Sequence, residues 1–119
     1  YDYRNIEVTI DEQGVFKVTM NESLAVALLT NLLKNAFVHN IDGGHIRITV
    51  TKNGITFRNS GVEHPLNKEH IFERFYQGSK KEGSTGLGLA IADSICRLQH
   101  LNIKYYFEQN EHCFEISQS

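Results

Sequence analysis

Two asparagines, Asn31 and Asn35, lie four residues apart in an otherwise apolar stretch of the chain, residues 21–39. At that spacing in a helix they share one face, and His39 continues the same line one turn later. Burying an amide without a partner costs roughly 1–3 kcal/mol, so this stripe is expected either to face a polar ligand or to bond neighbouring backbone. Carboxamide oxygens suit a hard cation such as Mg²⁺, whose other ligands are water and phosphate oxygens.

Three glycines, Gly83, Gly86 and Gly88, precede a helix-like run in the segment EGSTGLGLAIADSI. Glycine costs roughly 1 kcal/mol relative to alanine inside a helix. The segment matches neither the Walker P-loop nor the G-x-G-x-x-G dinucleotide motif. Glycines let backbone N–H groups approach an anion, and a helix N-terminus adds a partial positive charge. The alternatives here are a phosphate-binding hinge and an ordinary flexible loop before a helix.

Three hairpins are predicted to supply the sheet that positions these residues. Alternating apolar runs indicate hairpins over 5–20, 44–59 and 102–117. Their turns are expected at DEQG with Gly14, at Asn53-Gly54 and at QNEH, because glycine and asparagine favour tight turns.

Two helices are predicted to pack on that sheet. The first covers 21–39 with Asn21 as N-cap, and the second covers 85–101 and ends where Asn102 takes a left-handed conformation. The apolar stripe of the second helix is expected to comprise Leu87, Ile91, Ile95 and Leu98. Together the elements predict one α+β domain over 1–119, a two-layer sandwich with a mixed, mostly antiparallel sheet and helices on one face.

Composition excludes several classes of protein. The formal net charge of -2 gives no electrostatic footprint for nucleic acid. No apolar run approaches the roughly 20 residues that a membrane span needs. The two cysteines, Cys96 and Cys113, make a poor disulfide framework and are expected to be free buried thiols.

Four motifs then appear in a fixed order: NLLKNAFVH at 31–39, FRNSG at 57–61, IFERFYQG at 71–78 and GSTGLGLAI at 83–91. The set resembles the N, G1, F and G2 boxes of the catalytic, ATP-binding domain of sensor histidine kinases, in the wider group shared with gyrase, Hsp90 and MutL. The resemblance covers residues 20–119, and its most specific parts are ERFYQG and TGLGLAI. It implies the Bergerat fold, an α/β sandwich that binds ATP between helices and a mobile lid.

The resemblance also implies roles for the two asparagines. Asn35 matches the Mg²⁺ ligand, and Asn31 matches the catalytic position near the phosphates where hydrolysing relatives hold a glutamate. An amide cannot act as a general base at neutral pH, so the pattern favours holding ATP for phosphoryl transfer over hydrolysing it. Asn59 stands where the family usually has the aspartate that accepts the adenine amino proton. Discrimination against GTP is then expected to be weaker than with aspartate, unless neighbouring groups fix the orientation of the amide.

Other positions in the four motifs are expected to contact the nucleotide. Residues 77–84 would form the lid, and Gly86 and Gly88 its hinge. The full set of expected nucleotide-binding residues is Asn35, His39, Asn59, Gly61, Arg74, Phe75, Lys80, Lys81, Ser84, Thr85, Gly86, Leu87, Gly88 and Leu89.

Several residues depart from the family pattern. Val38 and Gln77 stand where basic residues are common, and Glu63 replaces the second glycine of the G1 box. These departures keep two alternatives open: a degenerate, non-catalytic nucleotide-binding module that acts as a switch, and a relative that phosphorylates serine on a regulatory protein.

The resemblance finally implies partners that this sequence does not contain. None of the six histidines has the sequence context of the family's acceptor histidine. The implied partners are a separate helical dimerisation and phosphoacceptor domain and a downstream response regulator, with the isolated domain monomeric. The implied location is cytoplasmic for the domain, with the bacterial inner membrane as one option for the parent protein.

Overall fold

The described part of the computed structural model, residues 5–76 and 86–118, contains two α-helices and a five-stranded sheet. In chain order the elements are β1 (Glu7–Glu12), α1 (Glu22–Val38), β2 (His45–Thr51), β3 (Gly54–Asn59), α2 (Gly88–Leu98), β4 (Leu101–Glu108) and β5 (Glu111–Gln118). The strand order is β1-β2-β3-β5-β4, with β1 parallel to β2 and every other pair antiparallel. The predicted α+β sandwich with a mixed, mostly antiparallel sheet is therefore confirmed.

Helix α1 begins where the sequence predicts. The side-chain oxygen of Asn21 accepts hydrogen bonds from the amides two and three residues later, at 2.8 and 3.3 Å. This cap satisfies backbone donors that the start of a helix leaves unpaired. Leu28, Leu32 and Ala36 recur every four residues and are buried, so the polar stripe with Asn31 and Asn35 lies to one side of the packed face.

Both helices contribute to one core with the sheet. The core includes Leu32 from α1, Cys96 from α2, Phe57 from β3 and Phe114 from β5. Cys96 and Cys113 are free and buried, as expected. Burial raises the pKa of each thiol to about 11, which keeps both in the unreactive protonated form.

The prediction of a hairpin over 5–20 is wrong. Strand β1 pairs in parallel with β2, and residues 13–20 form no strand; the Gln13 amide instead donates to the Val50 carbonyl at 2.8 Å. Phe16 and Met20 pack against the core as the chain leads into α1. An alternating pattern does not determine which strand a segment pairs with, and β1 pairs with the edge of β2.

The prediction for the second helix needs two corrections. Helix α2 is shorter than 85–101, and His100, with φ of 58°, takes the left-handed conformation expected of Asn102. Its buried residues are mainly small, with Ala90, Ala92 and Cys96 beside Ile95. Ile91 and Leu98 from the expected apolar stripe are exposed.

The two later hairpins are confirmed. In the β2–β3 hairpin the turn residues are Lys52 and Asn53, and Gly54 already belongs to β3. In the β4–β5 hairpin Gln109 and Asn110 both have positive φ, 52° and 62°, which is the backbone of a two-residue turn that matches strand twist. This second hairpin carries residues toward the site described next.

Candidate functional site

Two adjoining cavities lie between α1, the end of β3 and the chain that enters α2. The larger has a volume of about 280 Å³, and its walls are Asn31, Lys34, Asn35, Val38, His39, Tyr76, Gly86, Leu87, Gly88, Leu89 and Ile91. The smaller is lined by Asn35, His39, Asn59, Val62, Leu66, Ile71, Tyr76, Leu89, His112 and Phe114. The two cavities form one continuous cleft, because four residues line both of them: Asn35, His39, Tyr76 and Leu89.

Asn59 presents a buried acceptor to the smaller cavity. The residue is 2% exposed at the end of β3, and its Nδ2 donates to the Ser60 carbonyl at 2.8 Å. Its Oδ1 has no hydrogen-bond partner among the described residues. A flipped amide would set Oδ1 against the Ser60 carbonyl oxygen, and neither atom could donate. The amide is therefore held in one orientation, which leaves Oδ1 as a buried acceptor without a partner among the described residues.

A buried polar network holds Ser60 in place. Asn40 is fully buried, and the Ser60 hydroxyl donates to its Oδ1 at 2.6 Å. The Asn40 amide nitrogen donates to the Ala36 carbonyl at 3.1 Å and to the His45 carbonyl at 3.0 Å. These bonds join the end of α1 to the ends of β2 and β3, so the orientation of Asn59 is set by contacts that reach across the domain.

The larger cavity is more polar. Asn31 Nδ2 donates to the Ala27 carbonyl at 2.7 Å, while the Asn35 amide makes no side-chain hydrogen bond to another described residue. Lys34, which sequence reasoning did not select, also lines this cavity. It lies three residues from Asn31 on the same helix, and that spacing is the signal that identifies it.

The N-terminus of α2 faces the same cavity. Leu87, the residue before the helix, makes no capping hydrogen bond through its side chain, and both Gly88 and Leu89 line the cavity. A helix N-terminus carries unpaired N–H groups and a partial positive charge. This end of the cleft therefore favours an anion such as a phosphate.

Residues 20–117 match the family described as Histidine kinase-, DNA gyrase B-, and HSP90-like ATPase. The chain belongs to this family. This family is one of ATP-binding domains.

Named relatives agree with this assignment. The chain is 44% identical over 84 residues to sensor histidine kinase RppB of Synechocystis, a match that covers 63% of this chain and 18% of RppB. It is 40% identical over 90 residues to heme sensor protein HssS of Staphylococcus aureus, covering 71% of this chain and 20% of HssS. The chain thus spans about a fifth of the curated relatives that it matches.

Solved structures agree as well. The catalytic domain of histidine kinase ThkA superposes with a TM-score of 0.82 at 26% identity, over 95% of this chain and 78% of that one. ThkA has also been solved in complex with response regulator protein TrrA; that structure gives a TM-score of 0.73 at 26% identity, over 98% of this chain and 35% of that one.

Gly86 has a backbone conformation and a close approach to Phe75 that only glycine accommodates without strain. Its φ is +74°, and a Cβ there would lie 2.6 Å from the Phe75 Cα. The Phe75 amide donates to the Gly86 carbonyl at 2.6 Å. The backbones at Phe75 and Gly86 are therefore held together on either side of residues 77–85.

Two predicted contacts lie away from the cleft. Phe75 is 66% exposed and stacks under the Arg74 guanidinium at 5.4 Å, and neither residue lines either cavity. Tyr76, one residue later, lines both cavities instead. Gly61 is buried beside the cleft without lining it, since its backbone packs against the His39 carbonyl.

The structure brings the other described predictions together on the cleft: Asn31, Asn35, His39, Asn59, Gly86, Leu87, Gly88 and Leu89. Lys80, Lys81, Ser84 and Thr85, with the predicted lid at 77–84, fall outside the described residues. Within the described ranges, no helix is long and apolar enough to cross a bilayer.

Proposed function

We propose that this chain holds Mg²⁺-ATP as the catalytic domain of a sensor histidine kinase and supports transfer of the γ-phosphoryl group to a histidine on a separate helical domain. The observation that carries the proposal is the buried Oδ1 of Asn59, which no described residue partners, in a mainly apolar cavity that opens into a more polar one. The acceptor and mainly apolar walls of the first cavity suit a planar base with an exocyclic amino group, and the polar groups of the second suit an anionic tail.

In this proposal the adenine amino group donates to Asn59 Oδ1, and the base packs on apolar walls that include Ile71 and Phe114. The triphosphate extends past Asn31 and Lys34 toward the N-terminus of α2. These groups orient the phosphates and offset their charge before any reaction takes place.

The donor set at the polar end fits magnesium. The carboxamide oxygen of Asn35 accepts no hydrogen bond from a described residue. Mg²⁺ needs few protein ligands when phosphate oxygens and water complete its coordination shell. Bound there, the ion would neutralise charge on the phosphates during transfer. Asn35 is accordingly the proposed metal ligand.

The chemistry proposed is phosphoryl transfer rather than hydrolysis. A nitrogen of the acceptor histidine forms a bond to the γ-phosphorus while the bond to the bridging oxygen breaks, and ADP leaves with that electron pair. Asn31 lines the cavity next to Gly88, where a Cβ would be 3.2 Å from its Oδ1. An amide there can donate a hydrogen bond but cannot activate water.

The proposed partners follow from the same reaction. Residues 1–119 would act as one catalytic domain, monomeric in isolation, beside a helical dimerisation and phosphoacceptor domain. The ThkA–TrrA complex supports a response regulator as the downstream partner. A cytoplasmic location is proposed for the domain, with the bacterial inner membrane as one option for its parent.

One observation favours the second candidate, a nucleotide-binding switch without transfer. Val38 is 4% exposed on the wall of the larger cavity, where the family commonly has a lysine. Lys34, one turn earlier on that wall, places a positive charge nearby and so favours the first candidate. Both candidates bind a nucleotide, but only the first transfers its γ-phosphoryl group.

Calorimetry with ATP tests the binding step. ATP should bind more tightly with Mg²⁺ than with EDTA, and Asn35→Ala should remove most of that difference while Asn31→Ala retains it. Equal affinity with and without Mg²⁺ in the wild type would contradict a magnesium site. Fusing the parent protein's own upstream helices to the chain should then give ATP-dependent phosphohistidine. Nucleotide binding without phosphohistidine in that fusion would favour the switch.

A further inference from the structure

A chain of hydrogen bonds ties the loop after β3 to the β4–β5 hairpin. The Leu66 amide donates to the Tyr105 hydroxyl at 2.9 Å, this hydroxyl lies 2.7 Å from His112 Nδ1, and His112 Nε2 lies 2.7 Å from the Val62 carbonyl. A carbonyl only accepts, so Nε2 carries a proton. The hydroxyl then donates to Nδ1, and a neutral imidazole satisfies both of its partners.

This chain of bonds fastens the walls of the smaller cavity. Val62 and Leu66 line it, and His112 lies directly across the β3–β5 pairing from Asn59. The loop approaches His112 closely because residue 61 is glycine: a Cβ there would lie 3.1 Å from His112 Cδ2 and 2.8 Å from the His39 carbonyl oxygen. The imidazole thus sets how the loop sits over the place proposed for the base.

We propose that His112 is a positioning residue for this cavity: its neutral imidazole fastens the 62–66 loop, and its protonation releases the loop and weakens nucleotide binding. The proposal rests on the proposed function, because it takes the cavity to hold a nucleotide base. In the protonated ring both nitrogens donate. Nε2 can still donate to the Val62 carbonyl, but Nδ1–H now points at the Tyr105 oxygen, and the hydroxyl proton must turn away from His112. A phenol proton prefers the plane of its ring, so the turned proton competes with the Leu66 amide for the other side of the same oxygen.

The surroundings of His112 offer little to stabilise a positive ring. It is 2% exposed, and the groups on the elements around it are Tyr105 and Phe107 from β4, His64 from the loop, His39 from α1, and Tyr76. The preceding carboxylate, Glu111, is engaged by His45 and Arg47 instead.

Burial lowers the pKa of His112, and the charge of His64 lowers it further, against the opposing effect of the Val62 carbonyl. The pKa of His112 is lower in the folded protein than the ordinary histidine value of about 6.5. Its contribution to the stability of the native loop is therefore complete above about pH 6.5, and it is lost as the pH falls from about 6.5 toward the pKa in the folded protein. Acidification should therefore weaken binding, and alkaline pH should not.

The test compares the pH dependence of ATP affinity in the wild type and in His112→Gln, between about pH 7.5 and pH 5.5. Glutamine keeps an N–H donor for the Val62 carbonyl but does not titrate. ATP itself titrates in this range, so the readout is the difference between the two proteins. We expect similar affinities at the upper pH, and roughly a tenfold extra loss for the wild type at the lower pH. His100→Asn, at an exposed position with left-handed φ, should behave as wild type.

A second readout needs no nucleotide. In the free protein, exchange of the Leu66 amide should speed up as His112 titrates, followed by NMR, and Tyr105→Phe should speed it up at every pH. Titration of His112 without a change at Leu66 would overturn the proposal, as would parallel pH profiles for the wild type and His112→Gln. Failure of the wild type to bind ATP at any pH would instead overturn the proposed function.

Discussion

The two ends of the cleft are built differently. At the smaller cavity, proposed to hold the base and called the base end below, Asn59, Asn40 and Ser60 are buried, and their orientations are set by hydrogen bonds that cross between α1, β2 and β3. At the larger cavity, proposed to hold the phosphates and called the phosphate end below, Asn31 and Asn35 are only half-buried, Lys34 is exposed, and the backbone enters α2 through Gly86. The first end is part of the folded core, whereas the second lies at its surface.

The contrast assigns different tasks to the two ends. Groups whose orientation is fixed before binding can reject a ligand of the wrong hydrogen-bonding pattern, because a mismatch leaves a buried atom unpaired. Exposed charges and a helix N-terminus attract any phosphate and select little. Base selection should therefore depend on the fold, and phosphate binding should depend on salt.

The largest expected effect is on stability and separates the two ends. Asn40→Ala should cost about 3 kcal/mol of unfolding free energy, because it removes four hydrogen bonds, those to the Ala36 and His45 carbonyls, the Ile41 amide and the Ser60 hydroxyl. Asn31→Ala should change stability by less than about 1 kcal/mol, since the one side-chain bond lost lies within its own helix and alanine favours helix. Urea unfolding of both variants gives the measurement. Equal losses would show that the ends do not differ as described.

Local signals predicted most of the elements. An asparagine cap located the start of α1, and compact turns located the β2–β3 and β4–β5 hairpins, because each depends on residues near one another in sequence. The parallel pairing of β1 with β2 has no such signal, since the strands are separated by all of α1. Its alternating pattern is the same whichever edge it joins.

The site divides in the same way. The spacing of Asn31 and Asn35 along one helix placed both on the cleft, and the four motifs added Asn59 and the residues entering α2. His112 could not be found from sequence, because its role depends on Tyr105 and on a loop about fifty residues earlier. Tyr76 was missed because the choice between two adjacent aromatic residues depends on the backbone at Phe75, where φ is 64°.

The next largest effect concerns the base end alone. Asn59→Ala should weaken ATP binding by about 1–3 kcal/mol, which is roughly 5-fold to 150-fold, because the adenine amino group loses its acceptor. The loss should be the same for ATP and ADP, and the same with and without Mg²⁺, since the phosphates are elsewhere. Isothermal titration of each nucleotide measures it. If the variant binds ATP like the wild type, adenine is held by other groups.

Comparing GTP with ATP tests whether the orientation of the Asn59 amide selects adenine. Because Asn59 Nδ2 is engaged by the Ser60 carbonyl, the wild type should prefer ATP to GTP. Ser60→Ala, which removes the hydroxyl that Asn40 holds, should reduce the preference by freeing the backbone that orients the amide. Unchanged preference in Ser60→Ala would mean that the network serves stability only.

The smallest expected effect belongs to the phosphate end. Lys34→Gln removes an exposed positive charge from the wall of the larger cavity, and exposed charges contribute little because solvent and salt screen them. ATP affinity should fall roughly twofold to threefold at low ionic strength, and the difference should vanish at high salt, while adenosine binding stays the same throughout. Lys104→Gln, whose lysine lies near Glu115 and lines neither cavity, should leave ATP affinity unchanged. A loss that persists at high salt, or that extends to adenosine, would place Lys34 in the orientation of the base and remove the contrast between the two ends.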